Sequence, residues 1–388
     1  MAAGFLLCVA WYFTILAGFY ILYCPVIYLM FLNYKLYRTI VDSLFALWEL
    51  YPVALFQCCF NTHLHHSGDY VDPDESTIII INHRTRVDWN YVWMALYHAT
   101  QQPEKCICKE KVNGKQHRTE RGLLDVGGKS KTKFVLKEEI KNIPGMGWIM
   151  QLNYCLYVKR AWQEDQLGLF QFVDYYSRMR YPCRIVLFPE GTDLSEDNRR
   201  KSHKFAAVNN LPKYEFVLHP RTKGWAALCS SLRSNLTSIY DVTVAYDTPA
   251  QTEADLLRNK IPKHVYFHFK RYSIDNLPLE EEHLKTWLNE RWSEKEVNLK
   301  KFHTDGNFTD LSSNKSCADR EPRALHAAKL AFIFWTLVDI LFMYLLIYSA
   351  VFQFWVIYNC LLFVSVTWYL GGFHNIQYKL LQKNKTKH

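Results

Sequence analysis

Two charge-free stretches at the ends of the chain limit its folding more than anything between them. Phe5–Leu32 holds no Asp, Glu, Lys or Arg over 28 residues, more than the roughly 20 that cross a bilayer core as a helix. Leu330–Phe373 carries one charged side chain, Asp339, in 44 residues. That length fits two back-to-back spans with a turn near Ser349–Phe354. Backbone polar groups in lipid must pair within their own segment, so both stretches are expected to be helical. Pro25 is expected to kink the first or end its spanning part. A cleaved signal peptide is the competing reading at the amino end, but the stretch is longer than a signal's apolar region and no basic residue precedes it. Asp339 reads as a group near a helix interface, with a functional membrane carboxylate as the alternative.

The flanks set an expected orientation. Lys35 and Arg38 follow the first stretch, Arg323 and Lys329 precede the hairpin, and Lys379, Lys383, Lys385 and Lys387 follow it. Basic flanks stay on the cytosolic side, so the middle of the chain is expected there and the amino end in the lumen. The sequons at Asn235, Asn307, Asn314 and Asn384 would then be silent. The eleven cysteines are scattered, with close pairs only at Cys58-Cys59 and Cys106-x-Cys108. None has the spacing of a zinc site, and reduced thiols are expected. An apolar content of 49% with a net charge of +9 excludes a disordered chain and a small disulfide scaffold.

Strand and helix signals alternate from about residue 76 to 272, which predicts an α/β domain with a largely parallel sheet and flanking helices. Ser76–Asn82 is a β-branched run of the kind buried on both faces. Further strands are expected at Lys133–Leu136, Tyr154–Val158, Arg184–Phe188, Phe216–Leu218, Tyr240–Tyr246 and His264–Arg271. Helices are expected at Asp88–Thr100, Gln163–Arg180, and from after Pro278 to about Phe302. The chain thus divides into 1–60 (a transmembrane helix and a membrane-associated helix), 61–303 (the cytosolic domain), a polar linker at 304–322, and 323–388 (a transmembrane hairpin with a basic tail). Lys109–Lys133 carries eight Lys/Arg against three Asp/Glu and reads as a basic insertion, suited to anionic lipid. Its Gly127-Gly128-Lys129-Ser130 resembles the end of a phosphate loop, but Leu123 stands where the earlier glycine belongs.

Strand ends carry the candidate chemistry, as expected for parallel sheets. After the first buried strand come His83 and, five positions on, Asp88. An imidazole can take a proton from a hydroxyl while a carboxylate holds the ring and stabilises its charged form. A surface histidine beside a helix-capping Asp88 is the alternative. After Ile185-Val186-Leu187 comes Phe188-Pro189-Glu190-Gly191-Thr192-Asp193. Its Pro and Gly turn the chain sharply, and Thr192 and Asp193 are expected to start a helix whose N-terminus favours anions. An ordinary strand-to-helix turn is the alternative there. Lys159-Arg160 closes another strand and suits a phosphate, the alternative being a solvated pair. Val217 to Arg221 reads as one more strand, stopped by Pro220.

Together these resemble the glycerolipid acyltransferase family that includes 1-acylglycerol-3-phosphate acyltransferases. His83 to Asp88 matches its NHx4D block, Arg160 its second block, Phe188 to Thr192 its FPEGT block, and Leu218-His219-Pro220 its fourth. The RTRVDW context, Gly147-Trp148, His219 to Thr222 and the apolar ends look most like the lysocardiolipin acyltransferase branch. The insertion at 109–133 departs from the family pattern.

The resemblance implies acyl transfer from acyl-CoA, a co-substrate, to the free hydroxyl of a lysophospholipid: lysophosphatidic acid, lysophosphatidylinositol or lysocardiolipin. His83 would be the general base and Asp88 its orienting group. Backbone N–H groups near His83 or Gly191 would hold the oxyanion. Arg160, Glu190, Gly191 and Thr192 would bind the acceptor's glycerol-phosphate region, with Arg84 and Arg86 as further phosphate contacts. No metal or cofactor is required. The bilayer is the implied partner surface, nucleic acid is not, and the endoplasmic reticulum membrane is the implied location. A serine acyl-enzyme is not indicated, since no GxSxG elbow occurs. An acyl-CoA hydrolase and an inactive scaffold of the same fold are the alternatives.

Overall fold

Thr77–Ile81 is buried at every position and forms the strand around which the domain is laid out. The computed structural model describes residues 2–100, 132–179, 182–249, 252–306, 308 and 321–383. Along the chain the strands are β1 His63–Gly68, β2 Thr77–Ile81, β3 Thr132–Lys137, β4 Leu156–Val158, β5 Arg184–Leu187, β6 Ser238–Tyr246 and β7 His264–Ser273. They join in one sheet in the order β1-β7-β6-β2-β5-β3-β4. Every neighbouring pair is parallel except β6 with β7. The alternation of β2 fills two cores. Ile78 and Ile80 face Trp225, Trp287 and Trp292, whereas Ile79 and Ile81 face Tyr91, Met94 and the amino-terminal helices.

The predicted α/β class is the observed one, but several elements differ. Phe216–Leu218 is not a strand. The N–H groups of Glu215, Phe216 and Val217 donate to the Glu296 carboxylate at 2.7, 2.9 and 3.2 Å, so a side chain takes the place of a neighbouring strand. β1 was not foreseen because its sequence, HLHHSG, is polar and lies on the sheet edge. Thr192 and Asp193 do not start a helix; they lie in the turn, and the helix Glu196–Val208 begins after Ser195. The helices Met146–Leu152 and Thr222–Leu232 were also unforeseen. Lys133 belongs to β3 rather than to the insertion, whose other residues, Thr132 apart, lie outside the described ones. The helix Glu281–Asp305 runs past the expected linker start and closes on Gly306 in the left-handed region.

Four helices are long and apolar enough to cross a membrane: Gly4–Leu32, Tyr34–Cys59, His326–Tyr348 and Ala350–Leu370. Pro25 does not end the first. The turn before it widens to a π-helix at Phe19–Tyr23, and helical turns continue to Leu32. The hairpin turns at Ser349, whose Oγ accepts the Phe352 N–H at 3.3 Å. Asp339 is half-buried, and its Oδ1 has no hydrogen-bond partner among the described residues. The two ends of the chain pack together. Trp335 Nε1 donates to the Leu47 carbonyl at 3.1 Å, and Trp355 Nε1 to the Tyr20 carbonyl at 3.0 Å. What reads in sequence as a basic tail is in part a helix, Phe373–Lys383, docked on the domain. Its Gln377 donates to the Gln151 carbonyl at 3.0 Å and its Tyr378 to Asp174 at 2.9 Å.

A buried charge network ties these parts together. Asp42 accepts from Arg38 Nη2 at 2.7 Å, Arg38 Nε at 3.1 Å and Lys133 Nζ at 2.8 Å. Arg38 also reaches the Leu152 carbonyl at 2.8 Å and Gln377 Oε1 at 3.3 Å. One carboxylate thus joins the second helix, β3 and the docked carboxyl-terminal helix. Replacing Asp42 by Ala strands two buried cations and is expected to destabilise the protein by about 3–5 kcal/mol. A lowered thermal midpoint of the detergent-solubilised protein, with exposed Lys137→Ala as the neutral control, checks this.

Candidate active site

β2 and β5 are hydrogen-bonded neighbours in parallel register, with Ile80 beside Leu187. His83 and Glu190 each lie three residues beyond those partners, so their loops emerge side by side. His83 Nδ1 meets Asp88 Oδ2 at 3.0 Å. That oxygen also accepts the Thr85 N–H at 3.0 Å, so it is an acceptor and Nδ1 carries the proton. Oδ1 accepts the Thr85 hydroxyl at 3.0 Å and the Tyr246 hydroxyl at 2.6 Å. Asp88 is 0% exposed. His83 is part-exposed, its ring lies 4.5 Å from that of Phe188, and its Nε2 has no partner among the described residues. The sequence-predicted pair is therefore assembled, with one ring nitrogen fixed and the other open as a base.

Glu190 faces inward instead. Its Oε1 accepts from Trp292 Nε1 at 3.1 Å and from the His83 N–H at 3.3 Å, and its Oε2 accepts from the Leu218 N–H at 3.2 Å. It is 3% exposed, so it reaches the acceptor region only through the backbone it holds. Burial pushes its carboxyl up to about 8, against the pull of the three donors. The His83 N–H is thereby occupied, and the Gly191 N–H donates to the Phe188 carbonyl at 3.0 Å. Neither of these two is free for an oxyanion.

The cations divide into two groups. Arg86 Nε lies 3.8 Å from Asp193, and Lys159 pairs with Glu164 at 2.9 Å. Arg84, Arg160 and Arg221 have no carboxylate partner among the described residues. Arg160 sits at a positive φ of 65°, an uncommon setting for a non-glycine residue. Burial holds its guanidinium below the ordinary value, and the neighbouring charge of Arg221 adds to this. Arg221 lies against the Gly191 turn: a Cβ added at Gly191, where φ is +73°, would come within 3.1 Å of Arg221 Nε. The Arg221 N–H donates to the Pro189 carbonyl at 2.8 Å. Arg84 is lowered by burial too, but its charged neighbours are Asp88, Arg199 and Glu190. Arg160 thus feels the charge of Arg221, and that of Glu139 and Asp193 in the opposite sense, whereas Arg84 does not. The Thr192 hydroxyl is engaged by Asn198 Nδ2 at 3.0 Å.

Sequence reasoning missed Tyr246, Trp292, Arg221 and Trp11. Trp11 belongs to the first membrane segment. It closes a ring of four indoles with Trp89 (4.5 Å), Trp93 and Trp48 (5.4 Å), in which Trp89–Trp93 and Trp93–Trp48 are 5.2 and 5.1 Å apart. Trp89 directly follows Asp88. Only the spacing of Thr85, three before Asp88, was a local signal for any of the supporting contacts.

A histidine held by a buried carboxylate at the strand ends of a largely parallel sheet can take a proton from a hydroxyl or a water. Comparison with known proteins makes the class specific. The sequence matches the family described as Acyltransferase over residues 122–247, and that described as Acyltransferase C-terminus over 255–335. Lysocardiolipin acyltransferase 1 of Mus musculus is 35% identical, with 93% of this chain and 91% of that protein aligned. Lysophosphatidylinositol acyltransferase 10 of Caenorhabditis elegans is 29% identical over 93% of this chain and 90% of its own. A probable 1-acyl-sn-glycerol-3-phosphate acyltransferase 5 of Arabidopsis thaliana is 31% identical over 72% and 67%. The chain belongs to the acyltransferase family.

The Glu190 carboxyl has a pH consequence. Its folded value, about 8, lies above the ordinary 4.5. Its contribution to stability is therefore complete below about 4.5 and is lost as pH rises through about 8. The thermal midpoint of wild type, minus that of Glu190→Gln, is expected to fall across this window.

Proposed function

We propose that this protein transfers an acyl chain from acyl-CoA to the free hydroxyl of a lysophospholipid. The observation that carries the reading is the His83–Asp88 pair at 3.0 Å, with Nε2 open. Nε2 takes the acceptor's hydroxyl proton, and Asp88 stabilises the imidazolium. The acceptor oxygen attacks the thioester carbonyl, the C–S bond breaks, and the departing thiolate of CoA takes the proton back from Nε2. The step requires no metal or other cofactor.

Arg160, with Arg221 and the Gly191-Thr192 turn, receives the acceptor's phosphate, since these cations lack carboxylate partners among the described residues. Arg84 and Arg86 line the approach, and Glu190 holds the backbone of His83 in place. The three relatives compared above are named for lysocardiolipin, lysophosphatidylinositol and 1-acylglycerol-3-phosphate acylation, and all three are phosphate-bearing acceptors. The catalytic domain lies on the cytosolic side of the endoplasmic reticulum membrane in this reading. Basic residues on both flanks of the hairpin support that side, whereas Arg38 no longer does, because its charge is committed to Asp42. Glycan on Asn235 would overturn it.

Purified protein in detergent, labelled acyl-CoA and a panel of lysolipids test the reaction. Lysolipid-dependent product is expected. His83→Ala is expected to lower it by about 10²–10⁴-fold, and Asp88→Asn by at least about a hundredfold. Free fatty acid formed without an acceptor would indicate hydrolysis, and no turnover by wild type an inactive scaffold.

A further inference from the structure

The helix Glu196–Val208 leaves the active-site turn and carries a face that no described residue covers. Its start is tied to the site, because the Leu194 N–H donates to the His83 carbonyl at 2.8 Å. Its underside is fixed: Ser202 Oγ accepts the His219 N–H at 3.1 Å, His203 Nε2 lies 2.7 Å from the Tyr214 carbonyl, and Ala206 is buried. The opposite side presents Lys201, Lys204, Phe205 and Val208, spaced i, i+3, i+4 and i+7 on one face. Leu211 and Lys213 continue it past the helix end. Phe205, Val208 and Leu211 are 51%, 82% and 41% exposed, an apolar stripe set among lysines.

Charge identifies the occupant. From Asn198 to Tyr214 there is no Asp or Glu, against five Lys/Arg. Arg199 and Arg200 are neutralised by Glu196 and Asp197 in the first turn, each at 2.5 Å. Lys201, Lys204 and Lys213 are exposed and have no carboxylate partner among the described residues. An apolar stripe rimmed by unpaired lysines matches the headgroup-to-acyl boundary of an anionic leaflet, where the stripe enters and the cations meet lipid phosphates. The same chain carries four helices long and apolar enough to cross a bilayer.

We propose that the Lys201-Lys204-Phe205-Val208 face, extended by Leu211 and Lys213, rests on an anionic lipid leaflet beside the active site. This is independent of the proposed reaction, since the contact is read without turnover. Full-length protein carrying a photo-crosslinking residue at Val208 is placed in phosphatidylcholine nanodiscs with and without phosphatidylserine. Lipid adducts are expected at Val208 in the anionic bilayer, and not at an equivalent probe on exposed Glu290. They should drop at least about tenfold in neutral bilayers and in Lys201→Glu/Lys204→Glu/Lys213→Glu, with the thermal midpoint unchanged. Adducts to a second protein copy, equal yields in the two bilayers, or no lipid adduct where a probe at Val351 of the hairpin gives one, would each overturn the proposal.

Discussion

Asp88 is the group on which the site depends. A carboxylate without solvent exposure needs its oxygens satisfied. Here the satisfaction comes from three directions: its own turn through Thr85, the neighbouring strand β6 through Tyr246, and the imidazole of His83. Because four donors converge on two oxygens, the carboxylate cannot rotate toward solvent without stranding several of them. The ring it holds is therefore fixed in tautomer and direction before any substrate arrives. That preorganisation is the physical content of the histidine–aspartate spacing, which by itself states only proximity in sequence.

A second carboxylate works on the same loop from the opposite side. Glu190 gathers N–H groups from the His83 loop, the Leu218 segment and Trp292 of the long helix Glu281–Asp305. Three backbone donors on Glu296 hold the stretch just before Leu218 in the same manner. The walls around His83 are thus pinned by carboxyl groups, one of them buried, rather than by strand ladders. The Arg160 and Arg221 guanidiniums form no ion pair among the described residues, although Glu139 and Asp193 act on Arg160 from a distance.

How much of this was legible in the sequence depended on range. β2 declared itself, because a strand buried on both faces must be apolar throughout. The long apolar segments and the His83–Asp88 spacing were legible because each is a local pattern, although the spacing left a surface histidine open until the fold closed the pair. β1 was hidden, since an edge strand of histidines carries no apolar signal. Phe216–Leu218 misled, because an apolar triplet says nothing about whether a strand or a carboxylate will take its N–H groups. Tyr246 lies 158 positions from Asp88, and no spacing rule reaches across the fold to such a partner. The helix after the Glu190 turn was expected, but its start was placed at Thr192-Asp193 rather than at Glu196, because those two residues look like a helix start and lie instead in the turn.

The helices of membrane length do more than flank the domain. Trp11, from the first of them, packs edge-on against Trp89, the residue after Asp88. Trp48, from the second, closes the ring through Trp93 of the helix that carries Asp88. A lateral shift of either segment must therefore move the helix that carries Asp88, or else open the indole ring. Asp42 locks the second segment to β3, and Trp335 of the hairpin locks to the second segment in turn. Interdigitated side chains and buried charges transmit such displacements because close-packed interiors do not deform smoothly. The position of the imidazole is in this way referred to the helices of membrane length.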